Sequence, residues 1–394
     1  MKAGESDEEA KGLGAGAAAW LEGRRPVIQL FALPALMIAV LAALLVWHDY
    51  RTAAGAVYAS PDGPGGAAQA AIPGRPGAAV SAADAQSADD QSAGAQSPAI
   101  PSLPQLPPGE DYRAGTRYEG ETVALLVTPA DIYRGRLILV NYQNLLPEGY
   151  APESLVEANE LMAADDPSQF AVTKDLLRIN SEAAERLLEM IRYAAERDGI
   201  RGYLLVSGHR DFSYQTGLYR RKVTSYQDMG YSEDDAKTAA AVWVARPRES
   251  EHHTGLAMDV SSKDHPGLET SYFQTANGRW LDENAWRFGF VVRYPQDKTD
   301  ITKIGYEPWH LRYVGRPHSD FIRRRGWCLE EYLDFLRQEG GYTFKDEEGR
   351  IWQVDYQTGW DGQIRVPGDG DYQISGDGEG GFVVTVPLTA DDTG

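Results

Sequence analysis

The chain of 394 residues contains one cysteine, Cys328, so an intrachain disulfide is excluded. Its amphipathic surroundings predict a packed core thiol. Basic charge is also scarce, since 38 lysines and arginines face 58 aspartates and glutamates, giving a formal net charge of −20. A surface of this sign cannot neutralise phosphates, which excludes a nucleic-acid partner. No internal repeat is present.

Long apolar runs are absent except for one, Val27–Trp47, in which Gln29 is the only polar interruption. About 20 apolar residues are enough to cross the hydrocarbon core of a bilayer. We therefore predict a transmembrane anchor at residues 26–48. Arg24 and Arg25 precede the run, and the positive-inside rule then leaves residues 1–25 as a cytoplasmic tail. This predicts a single-pass protein of the cell membrane whose remaining chain is extracellular.

Two alternatives to an anchor remain open. Small residues follow the run at Ala53–Ala56, which is compatible with a cleaved signal peptide. A buried core helix is the other alternative. Residues 49–118 are rich in Ala, Gly, Pro, Ser and Gln and poor in aromatic and branched side chains. Such a segment cannot bury enough apolar surface to offset its chain entropy, so we predict a flexible linker.

Globular sequence occupies residues 119–340. Apolar residues at helical spacing predict a helix over Ser181–Arg197 with Ser181 as its N-cap. Four short runs predict strands: Leu137–Asn141, Gly202–Val206, Leu256–Ser261 and Trp309–Val314. The combination predicts an α+β domain with a mainly antiparallel sheet and helices on one side.

Residues 341–394 have a different pattern, in which short apolar runs alternate with Gly-Asp turns such as Gly376–Gly381. This pattern predicts a small β appendage. The Asp-Gly clusters could instead bind calcium, but they lack the EF-hand spacing, and hairpin turns are the favoured interpretation.

Two segments contain the residue types that metal chemistry requires, Ser250–Asp259 and Glu307–Gly315. A catalytic zinc takes three nitrogen or carboxylate ligands and keeps one position open. His252, Asp259 and His310 would supply such a set. Each residue alone is more simply explained as a packed or solvated side chain, and only their combination favours a metal site.

The period of a strand supports this grouping. Alternation places Asp259 opposite the apolar Met258 and Val260, and places His310 opposite Trp309 and Leu311. Glu307 would face the wrong way on a continuous strand. Pro308 ends the strand, however, so Glu307 lies in the preceding turn and can fold back over the open coordination position.

These two motifs resemble the double signature of the VanY-type D-alanyl-D-alanine carboxypeptidases. The first is Ser-x-His-x-x-Gly-x-Ala-x-Asp at residues 250–259, and the second is Glu-Pro-Trp-His at residues 307–310. The family belongs to a zinc-peptidase group with VanX dipeptidases, lysostaphin-type endopeptidases and hedgehog domains. Ser207-Gly-His-Arg210 with Gln215 is similar to the family's substrate-binding segment, except that His209 stands where Tyr is more frequent.

The resemblance implies a role for each matching position. His252, Asp259 and His310 match the zinc ligands, Glu307 the catalytic base, and Arg210 the arginine that stabilises the substrate carbonyl or its oxyanion. Three further residues match positions near the bound peptide end: Ser207, Gln215 and Ser250. His253 lies next to a matched ligand and remains an alternative to it.

The implied activity is zinc-dependent removal of the terminal D-Ala from peptidoglycan stem peptides that end in D-Ala-D-Ala. Serine enzymes perform the same cleavage with Ser-x-x-Lys and Lys-Thr-Gly motifs, neither of which occurs here. A peptidoglycan endopeptidase, an L,D-carboxypeptidase or a D-Ala-D-Ala dipeptidase of the same fold remain alternatives. A non-catalytic wall-binding module is the alternative outside enzymes, although it would be expected to lose Glu307 or a ligand.

The predicted topology can be tested on intact cells. Protease added outside should cut the linker and release the enzyme domain, because residues 49–118 have no packed core to protect them. Immunoblotting of the supernatant measures the release. A domain protected from protease would indicate the opposite orientation, and secretion without protease would indicate a cleaved signal peptide.

Overall fold

The computed structural model describes residues 112–162, 169–173 and 177–388. The predicted membrane anchor at residues 26–48 lies outside these residues. Within the described part, no helix has both the length and the apolar character needed to cross a membrane. The last residues of the predicted linker are described, and Tyr112–Ala114 form a strand there, so the predicted boundary at residue 118 includes residues of the folded part. The described residues belong to one unit of the chain.

The strands are, in chain order, β1 (Tyr112–Ala114), β2 (Thr122–Leu126), β3 (Leu155–Glu157), β4 (Phe170–Val172), β5 (Arg178–Asn180), β6 (Tyr203–Ser207), β7 (Ala257–Ser262), β8 (Phe290–Val292), β9 (His310–Tyr313), β10 (Gly341–Lys345), β11 (Ile351–Gln357), β12 (Gln363–Pro367), β13 (Gln373–Gly376) and β14 (Phe382–Leu388). The helices are α1 (Ala158–Met162), α2 (Ser181–Arg197), α3 (Phe212–Asp228), α4 (Glu233–Ala241), α5 (Ala276–Asn284), α6 (Thr299–Thr302), α7 (His318–Arg325) and α8 (Leu329–Glu339). The predicted mixture of helices with mainly antiparallel sheets is confirmed.

The central sheet has the strand order β4-β6-β7-β9-β8. Strands β4 and β6 run parallel, and the other three pairs are antiparallel. Helix α2 packs Leu187 and Ile191 into the same core cluster as Met258, Val260 and Leu311 of the sheet. These are the apolar members of the alternating patterns, so their burial leaves the intervening polar residues on the other face.

Helix α2 has the predicted bounds, Ser181–Arg197, but the predicted N-cap is wrong. The capping residue is Asn180, whose side-chain oxygen accepts hydrogen bonds from the backbone N–H groups of Glu182 at 3.1 Å and Ala183 at 3.2 Å. Ser181 is already inside the first turn. Both residue types favour N-caps, so composition could not separate the two neighbours.

The strand predicted at Leu137–Asn141 is also wrong. This segment is buried but belongs to no sheet. The N–H group of Leu137 donates to Ser375 Oγ at 2.8 Å, and that of Leu139 donates to the Asp377 carbonyl at 2.9 Å. Its backbone polar groups are therefore satisfied one by one through contacts that the local sequence does not contain.

A second sheet of order β1-β10-β11-β14-β13 joins the two ends of the described chain. Strand β1 pairs with β10, and β2 pairs with β12. Strands β10 and β12 follow the predicted boundary at residue 340, yet both are hydrogen-bonded to strands that precede it. The Gly376–Gly381 segment is a turn between β13 and β14. Asp377 Oδ1 accepts from three backbone N–H groups of that turn, at 2.8–3.0 Å. Cys328 is buried, as predicted.

Candidate active site

Strand pairing brings the two predicted motifs together. In the β7–β9 pair, Asp259 lies directly opposite His310. A 3₁₀ turn, Glu251–Thr254, precedes β7 and ends at Gly255, which has a positive φ of 73°. A Cβ at Gly255 would lie 2.5 Å from Leu155 Cδ2, so a glycine is required for the turn to pack there. The turn places His252 beside the paired strands.

His252, Asp259 and His310 form one buried cluster, with exposed fractions of 2%, 2% and 4%. Their ligand atoms all lie within 4.8 Å of one another. His252 Nε2 lies 3.4 Å from Asp259 Oδ2, and His310 Nδ1 lies 3.4 Å from Asp259 Oδ1. Tetrahedral ligands about 2.0–2.1 Å from a zinc ion lie about 3.3 Å apart, so the donor set and its spacing fit zinc.

The ring of His252 is oriented by the backbone. Its Nδ1 lies 2.7 Å from the Gly208 carbonyl oxygen, which can only accept, so Nδ1 donates and Nε2 keeps its lone pair toward the cluster. Burial lowers the pKa of His252 to about 4. The ring is therefore neutral at physiological pH, as a metal ligand must be.

His253 points elsewhere, and both of its ring nitrogens are engaged. Its Nε2 accepts from the Arg248 N–H at 3.2 Å, and its Nδ1 lies 2.7 Å from the Arg210 carbonyl oxygen. The ring also packs on Phe212, with centroids 4.3 Å apart. This arrangement leaves neither nitrogen for a metal and favours His252 over its neighbour.

Glu307 lies immediately before β9, where its carbonyl accepts from the His310 N–H at 3.1 Å. Its carboxylate oxygen Oε2 lies 3.3 Å from His310 Nδ1. The turn therefore folds Glu307 back beside the cluster, as the sequence predicts for a residue ahead of Pro308. Burial raises the pKa of Glu307, because a charged carboxylate loses its hydration there.

Arg210 connects the predicted substrate-binding residues to the cluster. Its guanidinium donates to Ser207 Oγ at 2.9 Å, to Gln215 Oε1 at 3.5 Å and to Asp259 Oδ2 at 2.5 Å. Burial raises the pKa of Asp259, but its contacts with His252 and His310 and the positive charge of Arg210 outweigh that effect and hold the pKa well below the usual range. Ser207, Arg210 and Gln215 are thus brought together. Ser250 is buried at the start of the 3₁₀ turn, where its carbonyl accepts from the His253 N–H.

A buried network of charged side chains, which the sequence did not predict, lies behind the cluster. Glu251 Oε1 accepts from Arg293 Nε at 2.7 Å and from Arg312 Nη1 at 2.6 Å. Arg293 also makes a two-pronged ion pair with Glu330, at 2.7 and 2.8 Å. Arg293 and Arg312 each lie within an apolar run, but this local signal gives no pairing.

A mixed fold whose central sheet presents a buried His/Asp/His cluster next to a glutamate defines the class as zinc-dependent hydrolases. A sequence profile of the VanY family, described as D-alanyl-D-alanine carboxypeptidase, matches residues 176–316. That range contains the His/Asp/His cluster, Glu307 and the Arg210 group.

Two curated relatives agree with the profile. A D-alanyl-D-alanine carboxypeptidase of Enterococcus faecium is 33% identical over 216 residues, which are 54% of this chain and 62% of that protein. A D-alanyl-D-alanine carboxypeptidase of Enterococcus faecalis is 38% identical over 216 residues, which are 55% of this chain and 72% of that protein. The match thus spans less than two thirds of the first relative and somewhat more of the second. The chain belongs to the VanY family of D-alanyl-D-alanine carboxypeptidases.

The chain is also similar to solved structures. The vancomycin resistance D,D-dipeptidase VanXYg, in complex with a D-Ala-D-Ala phosphinate analogue, is 28% identical with a TM-score of 0.55, covering 68% of this chain and 99% of that one. A VanY D,D-pentapeptidase variant from a VanB-type resistance cassette, in complex with Zn(II), is 38% identical with a TM-score of 0.42, covering 50% of this chain and 98% of that one. The family is zinc-dependent, and zinc is the metal that the cluster fits.

The two neighbouring histidines provide a direct test of the ligand set. We expect His252→Ala to lose most of the bound zinc, because Nε2 is directed at the cluster, whereas His253→Ala should keep it. Zinc per chain, measured by mass spectrometry of the metal, is the readout. Thermal unfolding of both variants controls for folding, and the reverse pattern would show that His253 is the ligand.

Proposed function

We propose that this protein is a zinc-dependent D-alanyl-D-alanine carboxypeptidase that removes the terminal D-Ala from peptidoglycan stem peptides. The observation that supports this most strongly is the buried cluster of His252, Asp259 and His310 with the Glu307 carboxylate 3.3 Å from His310 Nδ1. A metal-binding set beside a carboxylate with a raised pKa is an arrangement suited to metal-assisted hydrolysis of a peptide bond.

In this proposal His252, Asp259 and His310 hold the zinc ion. When bound, zinc supplies Lewis acidity that polarises a carbonyl and acidifies water. Glu307 takes the proton of the attacking water and passes it to the leaving amine. Burial favours this role, because a carboxylate held out of water binds a proton more strongly than an exposed one.

Arg210 has two functions at the cluster itself in the proposal. Its contact with Asp259 orients a metal ligand, and the guanidinium has further N–H groups that can donate to the negative charge developing on the carbonyl oxygen. The side chain is 16% exposed, so it can reach a bound substrate. Ser207 and Gln215 hold the guanidinium in place through its Nε and Nη1.

The specificity for a free peptide end follows from fixed donors near the cluster. A carboxypeptidase must recognise a terminal carboxylate one residue beyond the scissile bond. We assign this recognition to Ser207, Arg210 and Gln215, with Ser250 near the bound peptide end. An endopeptidase would need an open groove on both sides and would gain nothing from donors for a carboxylate.

We also propose that the protein is held at the membrane by residues 26–48 and acts on the outer side. The length of the apolar run and the two arginines ahead of it support this placement. A chain with a net charge of −20 is not drawn to anionic lipids or wall polymers, so a covalent anchor would keep the enzyme near its substrate.

The role of Glu307 can be separated from metal binding. Glu307→Ala should keep zinc and lose about 10²–10⁴ in kcat, the usual contribution of a general acid–base residue. Glu185→Ala on the exposed face of α2 is the matched control and should retain full activity. Zinc content and kcat are measured for both variants. Loss of zinc together with activity would make Glu307 a structural residue instead.

The proposed reaction is tested with purified muropeptides and mass spectrometry. Stems ending in D-Ala-D-Ala should release a single D-alanine, and amidation of the terminal carboxylate should suppress cleavage because Ser207, Arg210 and Gln215 would lose their anionic partner. Equal cleavage of acid and amide would favour the endopeptidase alternative. Cleavage confined to stems that already end in a single D-Ala would favour an L,D-carboxypeptidase.

A further inference from the structure

The two histidines of the cluster are oriented by different means. His252 directs Nε2 at the cluster and donates Nδ1–H to the Gly208 carbonyl oxygen. His310 is turned the other way, with Nδ1 toward Asp259 and Glu307. A neutral imidazole has one N–H, so His310 can offer Nδ1 to a metal only when its proton is on Nε2. The position of that proton needs a fixed acceptor.

The atom that faces His310 Nε2 belongs to Glu251. Its Oε2 lies 3.7 Å from Nε2, and both atoms are buried and have no hydrogen-bond partner within the described part of the chain. A buried polar atom without a partner is costly, and here a ring nitrogen that can carry a proton faces a carboxylate oxygen that can accept it. A shift of the ring by roughly 0.5–1 Å would bring them to hydrogen-bond distance.

The two carboxylate oxygens of Glu251 have different surroundings. Oε1 accepts from both Arg293 and Arg312, while Oε2 is left free toward His310. If the carboxylate served only to neutralise the two guanidinium groups, both oxygens would be expected to receive donors, as both oxygens of Glu330 do. The asymmetry indicates a second function.

The position of Glu251 is fixed by rigid partners. Arg312 lies on β9, two residues after His310, and also donates to the carbonyls of Arg136 at 2.8 Å and Ile138 at 2.9 Å. Arg293 follows β8 and is held by Glu330 of α8. Glu251 is thus held by two guanidinium groups, each of which is fixed by a further segment of the fold, and it cannot follow the ring freely.

We propose that Glu251 is a positioning residue that accepts the Nε2–H of His310 and thereby keeps Nδ1 available to zinc. It would do for His310 what the Gly208 carbonyl does for His252. Glu251 has this role only if the zinc site of the proposed function exists. An acceptor behind a ligating histidine typically changes metal affinity by about 10–100-fold.

Two isosteric variants of the full-length chain separate positioning from charge balance. In Glu251→Gln, the side-chain oxygen stays with the arginines and the amide NH₂ faces Nε2, which drives the ring proton to Nδ1. Zinc affinity, measured by competition with a chelator, should fall by about 10–100-fold. Glu330→Gln removes the same charge from the same network without facing His310, and its zinc affinity should change by less than about 3-fold.

The wild-type chain supplies an independent readout. With ¹⁵N-labelled histidine rings and zinc bound, NMR should place the His310 proton on Nε2, in slow exchange with water. A proton on Nδ1 overturns the proposal, as do equal zinc affinities for Glu251→Gln and wild type, or equal losses in both variants. If both variants fail to fold, the NMR result decides. A wild-type chain that binds no zinc overturns the zinc site itself, which distinguishes that failure from failure of the role of Glu251.

Discussion

The pairing of β7 with β9 is the interaction on which the site depends. It sets Asp259 opposite His310 in the register of the sheet, and a shift of either strand by one residue would turn that strand's ligand to the apolar face. The register is fixed because Met258, Val260 and Leu311 occupy the core on the other face. The apolar half of each strand thus positions the polar half, and folding the core assembles the metal cluster.

Burying so many charges in one place carries a large desolvation cost, and the structure offsets it by pairing. Two layers can be distinguished. In the front layer, Arg210 pairs with Asp259. In the back layer, Arg293 and Arg312 both pair with Glu251, and Arg293 also pairs with Glu330. Each charge has an opposite partner at hydrogen-bond distance, which is the condition under which buried ions are tolerated. The site is therefore preorganised, with polar groups already fixed before a substrate binds.

The β-rich end of the chain is tied to the rest through packing. Tyr342, Phe344 and Val354 of the second sheet share a core cluster with Phe321 of α7 and the apolar face of α8. Glu330, which pairs with Arg293 in the back layer, also lies on α8. The same helix thus packs against the second sheet and supports the network behind the metal cluster.

The sequence by itself determined the features that depend on local periodicity and on residue type. Helix α2, the strands around Asp259 and His310 and the β-rich C-terminal part could be read from spacing, because the helical and strand periods separate a buried face from a polar one. The same periods put Asp259 and His310 on polar faces, but they left His252 and His253 as alternatives. Zinc followed from the chemistry of that donor set, and the family assignment agrees with it.

Only the tertiary structure decided the features that depend on contacts between distant segments. The predicted strand at Leu137–Asn141 was wrong because the hydrogen-bond partners of its backbone, Ser375 and Asp377, lie far away in the sequence. The choice between His252 and His253 required the Gly208 and Arg210 carbonyls, which lie more than 40 residues away. Glu251 is the unspecified residue of the Ser-x-His motif, and only the fold places it beside Arg293, Arg312 and His310. Periodicity assigns a face to each residue, but the partner on that face is set by how the chain folds back on itself.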